Sequence, residues 1–200
     1  MLTFGKFITR PEAIEPIPAN NLMAMLQAGQ WRKPIEAIRK EKNPILQKEM
    51  KQRLPYFVYG VLSGARSEEN VRQVNGIVFD FDHVGDYIEA KQKLMDAAPW
   101  FRWLFRSPVD GLKLMIPFSR PVTDKAEYLM IWTLLRDQIA NRSGLTADNT
   151  PDLCRACFVS WDDDVITCPE EWLVDLDEWL REHNTESQRH RDGEKQSKFG

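Results

Sequence analysis

The segment that most restricts the fold of this chain is Gly76–Asp82, where an apolar run ends in Asp-Phe-Asp. Its β-branched and aromatic residues predict a β-strand. Apolar side chains occupy both alternating sets of positions, which predicts that both faces of the strand are buried. Because side chains alternate along a strand, Asp80 and Asp82 are predicted to point to the same side.

Two carboxylates at the exit of a buried strand repel each other and are costly to desolvate. A divalent cation removes that cost, and hard cations prefer oxygen ligands. The Asp80–Asp82 pair therefore predicts a metal site. The alternative is a strand end whose aspartates cap the following turn. His83, directly after the pair, is a candidate ligand for a metal or a phosphate.

The rest of the chain alternates between strand and helix patterns without a regular βαβ rhythm, which predicts an α+β fold. Residues 1–182 are predicted to form one domain, with an N-terminal module over 1–55 and a core over 56–182. Residues 183–200 are polar until Phe199 and are predicted to be a linker or tail. Strands are predicted over 2–8, 56–62, 76–82, 100–106, 112–118, 157–161 and 165–168. A long helix is predicted from Thr123 to about Asn141, and a final helix is predicted to begin at Pro169.

Charge is distributed unevenly along the chain, although the formal net charge is only −3. Between Gln30 and Arg53 there are eight basic and three acidic residues, and between Asp148 and Glu182 there are eleven acidic and two basic residues. This asymmetry predicts a polyanion on the basic side and metal on the acidic side, with two solvated helix faces as the alternative. The candidate nucleic-acid contacts are Arg32, Lys33, Arg39, Lys40, Lys51 and Arg53.

Two further segments contain candidate phosphate-binding or metal-binding residues. The turn Ser107–Gly111 joins two predicted strands and brings Lys113 near the end of the sheet, where a lysine binds phosphate as a point charge. The alternative without a functional role is a hairpin with a surface lysine. A polar loop holds Asp148, Asp152 and Arg155, which predict a third carboxylate and a phosphate-binding guanidinium, or else a loop salt bridge.

The cysteines give weaker signals. Cys154-x-x-Cys157 has the spacing of half a zinc site, but only Cys168 remains as a further thiol, so buried thiols are favoured. Three cysteines make a poor disulfide framework, which predicts a reducing, cytoplasmic setting. No apolar run approaches the length of a membrane span, so no membrane partner is expected.

Taken in order, the motifs Gly76–Val84, Ser107–Lys113 and Asp152–Asp162 resemble the primase-polymerase domains of the archaeo-eukaryotic primase superfamily. They are most similar to the branch of BT4734-like, or VirE, N-terminal domains. The resemblance covers about Leu54 to Asp162. It implies an RRM-like catalytic sheet with helices, beside a smaller N-terminal α/β module, and it implies template-directed nucleotidyl transfer.

The resemblance also implies roles for individual residues. Asp80 and Asp82 match the first motif, whose carboxylates hold two Mg²⁺ or Mn²⁺ ions, and Asp148 or Asp152 supplies the third carboxylate. Asp152 is taken as the metal ligand, and Asp148 is kept as a catalytic candidate. Lys113 stands where the family usually has histidine. The nucleotide contacts implied are Ser107, Lys113, Arg155 and His83.

The implied partners are a single-stranded DNA template with its primer, an NTP or dNTP, and a fused or associated helicase domain, in the replication of a phage or mobile element. Two alternatives remain open. One is a degenerate, non-catalytic domain that binds single-stranded nucleic acid or nucleotide. The other is a haloacid-dehalogenase-like phosphatase with Asp80 as the nucleophile, although about 75 residues precede that motif here and it normally opens its domain.

Overall fold

The computed structural model describes residues 1–168 and 175–183. The strands are β1 (Leu2–Gly5), β2 (Ile14–Ile17), β3 (Tyr56–Val58), β4 (Gly60–Leu62), β5 (Val71–Phe81), β6 (Trp103–Arg106), β7 (Leu112–Val122), β8 (Cys157–Phe158) and β9 (Ile166–Thr167). The helices are α1 (Ala19–Gln27), α2 (Arg32–Lys40), α3 (Pro44–Gln52), α4 (Tyr87–Ala97), α5 (Lys125–Ser143) and α6 (176–183), with a short 3-10 turn at Glu68–Asn70.

The strands form two antiparallel sheets. The first has four strands in the order β2-β1-β3-β8, and the second has five in the order β4-β5-β7-β6-β9. The long strands β5 and β7 pair at the centre of the second sheet. Helices and antiparallel strands in one chain confirm the predicted α+β class.

The second sheet is covered differently on its two faces. Alternate residues of β5, Ile77 and Phe79 among them, pack in one core with α4 and α5. On the opposite face, Trp103, Phe105 and Met115 pack in another core with α1, α2 and the first sheet. Both faces of the central strands are thus buried along most of their length. Near the ends of β5 and β7 on this opposite face, buried charged side chains replace the apolar ones.

The predicted single strand over 56–62 is two strands in two different sheets. Tyr56–Val58 pairs with β1 and β8, whereas Gly60–Leu62 pairs with β5. Tyr59 lies between them and is buried against the second core. The chain changes sheets at this residue, so one β-rich segment connects the two sheets.

The N-terminal module is not confined to the first 55 residues. Its sheet takes β3 and β8 from later in the chain, and β8 lies about a hundred residues beyond β3. The predicted final helix begins at Pro169, outside the described residues, and is seen here as α6. His183, the first residue of the predicted tail, ends that helix against Trp179, and 184–200 lie outside the described residues. No helix in the described ranges is long and apolar enough to cross a bilayer.

Candidate active site

The site begins with an ion pair across the centre of the second sheet. The register of β5 and β7 places Asp80 directly opposite Lys113. Both residues lie on the face away from α4 and α5, and the Lys113 ammonium contacts Asp80 Oδ1. The Lys113 side chain is only 4% exposed and that of Asp80 is 13% exposed. This is a buried ion pair in a sheet whose neighbouring positions are apolar.

A loop after α5 adds a second cation and a second carboxylate. Arg155 donates to Asp80 Oδ2 at 2.9 Å and lies 3.4 Å from Asp148 Oδ2. The backbone N–H of Asp148 donates to the carbonyl oxygen of Asp80 at 2.9 Å. Arg155 and this backbone bond therefore fix the loop to the strand end and hold Asp148 beside Asp80.

Asp152 has a different function in the same loop. Its Oδ1 accepts hydrogen bonds from the backbone N–H of Cys154 at 2.9 Å and from the thiol at 3.3 Å. Within the described ranges, no hydrogen bond or ion pair joins Asp152 to Asp80. The structure thus brings Asp148 rather than Asp152 to the strand end, and Asp148 replaces Asp152 as the candidate third carboxylate. A local turn explains the position of Asp152.

Asp82 follows the end of β5 and is exposed. A Cβ at Gly111 would overlap the carbonyl oxygen of Phe81 and lie 3.0 Å from Asp82 Oδ1, so only glycine lets the 107–111 turn pack this closely. Although the residue as a whole is exposed, partial burial of its carboxyl raises the pKa of Asp82, and the charges of Asp148 and Asp80 raise it further against the opposing charges of Lys51 and Lys113. Asp82 therefore lies within the electrostatic influence of both other carboxylates.

The charges of the ion pair are mutually stabilised. Burial alone would raise the pKa of Asp80, but Lys113 and Arg155 outweigh it and hold that pKa below its usual value. Burial would likewise lower the pKa of Lys113, and the charge of Asp80 outweighs it. All three groups are therefore ionised near neutral pH.

The donor set fits a divalent cation chemically. The charges of Asp148 and Asp80 both act on the Asp82 carboxyl and, after burial, are the largest causes of its raised pKa. In the part of the chain that the structure describes, no three acidic, histidine or cysteine side chains converge as a ready-made metal cage. Both oxygens of Asp80 are instead paired with protein cations, Oδ1 with Lys113 and Oδ2 with Arg155.

The fold and the motifs agree with known proteins. The sequence profile of the BT4734-like, N-terminal domain family matches residues 49–166. The chain belongs to this family. Its fold is also similar to the AEP domain of the primase-polymerase (PrimPol) of cyanophage S-2L, with a TM-score of 0.53 and 14% identity, over 90% of this chain and 87% of that one. No curated protein is significantly similar in sequence.

Membership of the BT4734-like family confirms the resemblance to the primase-polymerase superfamily. The solved structure is too distant in sequence to show more than the fold. Within this fold, Asp80, Lys113 and Arg155 meet where the interior strand β5 ends, and Asp82 follows directly after it.

Two predicted nucleotide contacts of the BT4734-like domain form local bonds. Ser107 is buried, and its hydroxyl accepts from the backbone N–H groups of Gly111 at 3.0 Å and Val109 at 3.3 Å. This closes the turn that packs against Asp82. His83 has a left-handed backbone, with φ of 54°, and its Nδ1 lies 2.6 Å from Asp110 Oδ2 on the surface. Ser107 thus supports the site, and His83 lies at its exposed rim.

The predicted nucleic-acid contacts of the domain lie on α2, on α3 and at the residue after α3. Arg32, Lys33, Lys40 and Arg53 are exposed, and Lys51 is half-buried with its ammonium 5.7 Å from the centre of the Phe158 ring. The guanidinium of Arg32 is paired with Glu36 at 2.9 Å and lies 4.5 Å over the Trp161 ring. Since Lys51 affects the pKa of Asp82, it is the predicted contact that the electrostatics place beside the site.

Arg39 differs from the other predicted contacts because it is used inside the fold. Its guanidinium donates to the carbonyl oxygens of Ser107 and Trp161, each at 2.8 Å. Burial, and then the charge of Arg106, lower its pKa to about 10. Arg39 therefore fixes the 107–111 turn to the loop after β8. Because its guanidinium is used in this way, Arg39 is no longer a candidate for the nucleic-acid surface.

Cys157 is a site neighbour that sequence reasoning missed. It is fully buried on β8, and burial raises the pKa of its thiol to about 11 although the charge of Lys113 opposes the rise. The sequence signal for its burial is that Cys157 occupies an inward-facing position of a predicted apolar strand. The thiol packs beside the Lys113–Asp80 pair as a neutral group. Cys154 is also a buried free thiol.

Proposed function

We propose that this BT4734-like domain catalyses template-directed transfer of nucleotides to a 3′-hydroxyl, with divalent cations held by Asp80, Asp82 and Asp148. The observation that carries the proposal is the meeting of these carboxylates with Lys113 and Arg155 at one strand end. The similarity of the fold to a phage PrimPol domain supports it. Replication of a phage or mobile element is the proposed setting.

Each side chain has a chemical task in this proposal. Lys113 and Arg155 donate to triphosphate oxygens, the lysine as a compact charge and the arginine as a planar fork. Asp80, Asp82 and Asp148 provide the oxygen ligands that Mg²⁺ and Mn²⁺ prefer. When bound, such ions lower the pKa of the attacking hydroxyl and offset the charge of the departing pyrophosphate.

The proposal is tested with the full chain, a single-stranded DNA template with and without a primer, and Mn²⁺ or Mg²⁺. Labelled dNTPs and NTPs are supplied in separate reactions. We expect incorporation that requires both the metal and the template. The two nucleotide types then define the sugar preference, and the unprimed template shows whether the domain starts chains.

A second candidate function is a non-catalytic domain that binds nucleotide or single-stranded nucleic acid. The observation in its favour is that Asp80 is already neutralised by Lys113 and Arg155. It predicts nucleotide binding without incorporation in either metal. The extension assay, run beside a nucleotide-binding titration, separates the two functions.

Lys51 provides a test of the proposed template path. Its charge acts on the Asp82 carboxyl, and each phosphate of a single strand that a protein neutralises adds about 0.7 to the slope of log affinity against log salt. We therefore expect Lys51→Gln to weaken binding of single-stranded DNA uniformly across sequences and to reduce the salt slope by that amount. Fluorescence anisotropy over a salt series measures both quantities.

Arg32→Gln is the matched control, because the guanidinium of Arg32 is already paired with Glu36 and stacked on Trp161. Its effect on affinity and on the salt slope is expected to be smaller than that of Lys51→Gln. Equal effects of the two substitutions, or a larger one for Arg32, would place the template elsewhere on the basic helices.

A further inference from the structure

The proposed metal site contains its own competing cations. Lys113 contacts Asp80 Oδ1, and Arg155 occupies Oδ2 at 2.9 Å while also lying 3.4 Å from Asp148. Both oxygens of Asp80 are therefore engaged, and Arg155 also interacts with the carboxylate of Asp148. A metal ion that binds Asp80 has to compete with these two protein cations for its oxygens and is repelled by their charge.

The displaced cation needs a new anion. Lys113 is 4% exposed, and a buried ammonium without a partner is strongly disfavoured. Next to a newly bound metal ion it would also be repelled. Arg155 is more accessible to solvent, because its side chain is 24% exposed. Its guanidinium would nevertheless be repelled by the metal ion in the same way. Metal binding to the protein alone is therefore opposed by both groups.

A nucleoside triphosphate relieves this opposition, an argument that rests on the proposed function. Its phosphates offer several anionic oxygens to Lys113 and Arg155 at the moment when these groups leave Asp80. Lys113 stands on β7, directly across from Asp80, so the exchange requires its side chain to move and not the strand. A nucleoside monophosphate carries a single phosphate group and satisfies the two cations less well.

We propose that Lys113 and Arg155 keep Asp80 closed to metal until a nucleoside triphosphate draws them away, so that metal and triphosphate bind as a unit. The two cations are positioning residues in this exchange, because they act on the metal through Asp80. By linkage, the triphosphate tightens metal binding by the same factor as the metal tightens triphosphate binding.

The test begins without nucleotide, so that chelation of the metal by phosphates does not interfere. Mn²⁺ is titrated into the full chain, and the free ion is followed by electron paramagnetic resonance. Lys113→Met frees Asp80 Oδ1 and Arg155→Met frees Oδ2, so each is expected to bind Mn²⁺ about tenfold more tightly than the unsubstituted protein. Lys48→Met, on the exposed side of α3, is the control and should leave the affinity unchanged.

Nucleotide is then added as a non-hydrolysable triphosphate analogue, with binding followed by the anisotropy of a fluorescent label. In the unsubstituted protein Mn²⁺ should tighten analogue binding about tenfold or more, and in Lys113→Met the gain should fall below about threefold. A monophosphate should show little gain in either protein. Unfolding temperatures establish that each variant is folded. If Lys113→Met does not fold, the same measurements are made on Arg155→Met, whose substituted side chain is more exposed.

The outcomes separate the two proposals. Mn²⁺ affinity that is equal or weaker in both methionine variants, in a protein that still incorporates nucleotides, overturns the exchange but leaves the proposed function in place. Absence of Mn²⁺ binding in every variant, together with absence of incorporation, overturns both. Tighter Mn²⁺ binding in the variants with reduced coupling to the triphosphate supports the exchange.

Discussion

Asp82→Asn is expected to reduce metal-dependent nucleotide incorporation by more than about a hundredfold, since even residues that only orient metal ligands cost 10–100-fold when replaced. The Asp82 side chain is exposed. Its carboxylate forms no hydrogen bond or ion pair with a described residue, so the fold does not depend on it. Asparagine keeps the shape and removes the charge that a divalent cation needs. Primer extension in Mn²⁺ measures the loss.

The control for this substitution is Asp163→Asn, which removes an exposed carboxylate from the loop after β8 and leaves the site intact. It should retain the full rate. The unfolding temperature of Asp82→Asn should stay close to that of the unsubstituted protein. Extension at an unchanged rate by Asp82→Asn would remove this residue from the metal site.

Asp80→Ala is expected to affect stability as well as activity. Lys113 is almost fully buried and would lose the carboxylate opposite it, and breaking a buried ion pair by removing one partner costs about 3–5 kcal/mol. Arg155 would be deprived of its shorter ion pair at the same time. Denaturant unfolding followed by tryptophan fluorescence measures the free energy of unfolding.

The double variant Asp80→Ala with Lys113→Met tests the cause of that loss. It removes both buried charges, and a buried pair replaced by apolar groups is often neutral for stability. We expect it to recover most of the stability lost in Asp80→Ala while remaining inactive. A loss in Asp80→Ala of less than about 1 kcal/mol, the range of exposed pairs, would show that the pair is effectively solvated.

The sequence was most informative where local pattern decides the structure. The apolar run before Asp80 gives a buried strand, and Thr123 to Asn141 gives a long helix, seen as Lys125–Ser143. The lysine near the turn was also predicted to lie at the end of the sheet. That Lys113 pairs with Asp80 was not predicted, because this pairing depends on the register of two strands that lie far apart in sequence.

Other features depended on contacts that no local pattern carries. Asp148 and Asp152 are equivalent in sequence, and they are separated only by the backbone bond that fixes Asp148 to the end of β5 and by the turn that uses Asp152. Arg39 resembles its basic neighbours until the folded chain places two carbonyl oxygens against it. The change of sheet at Tyr59 likewise arises from pairing with distant strands.

In the proposed function, Asp80, Asp82 and Asp148 hold divalent cations in the presence of a triphosphate. Crystals of the chain grown with Mn²⁺ and a non-hydrolysable triphosphate analogue test it most directly, through the anomalous scattering of manganese. We expect manganese within about 2.2 Å of oxygens from these carboxylates, with Lys113 and Arg155 on the phosphates. Manganese bound elsewhere, with both cations still on Asp80, would contradict it.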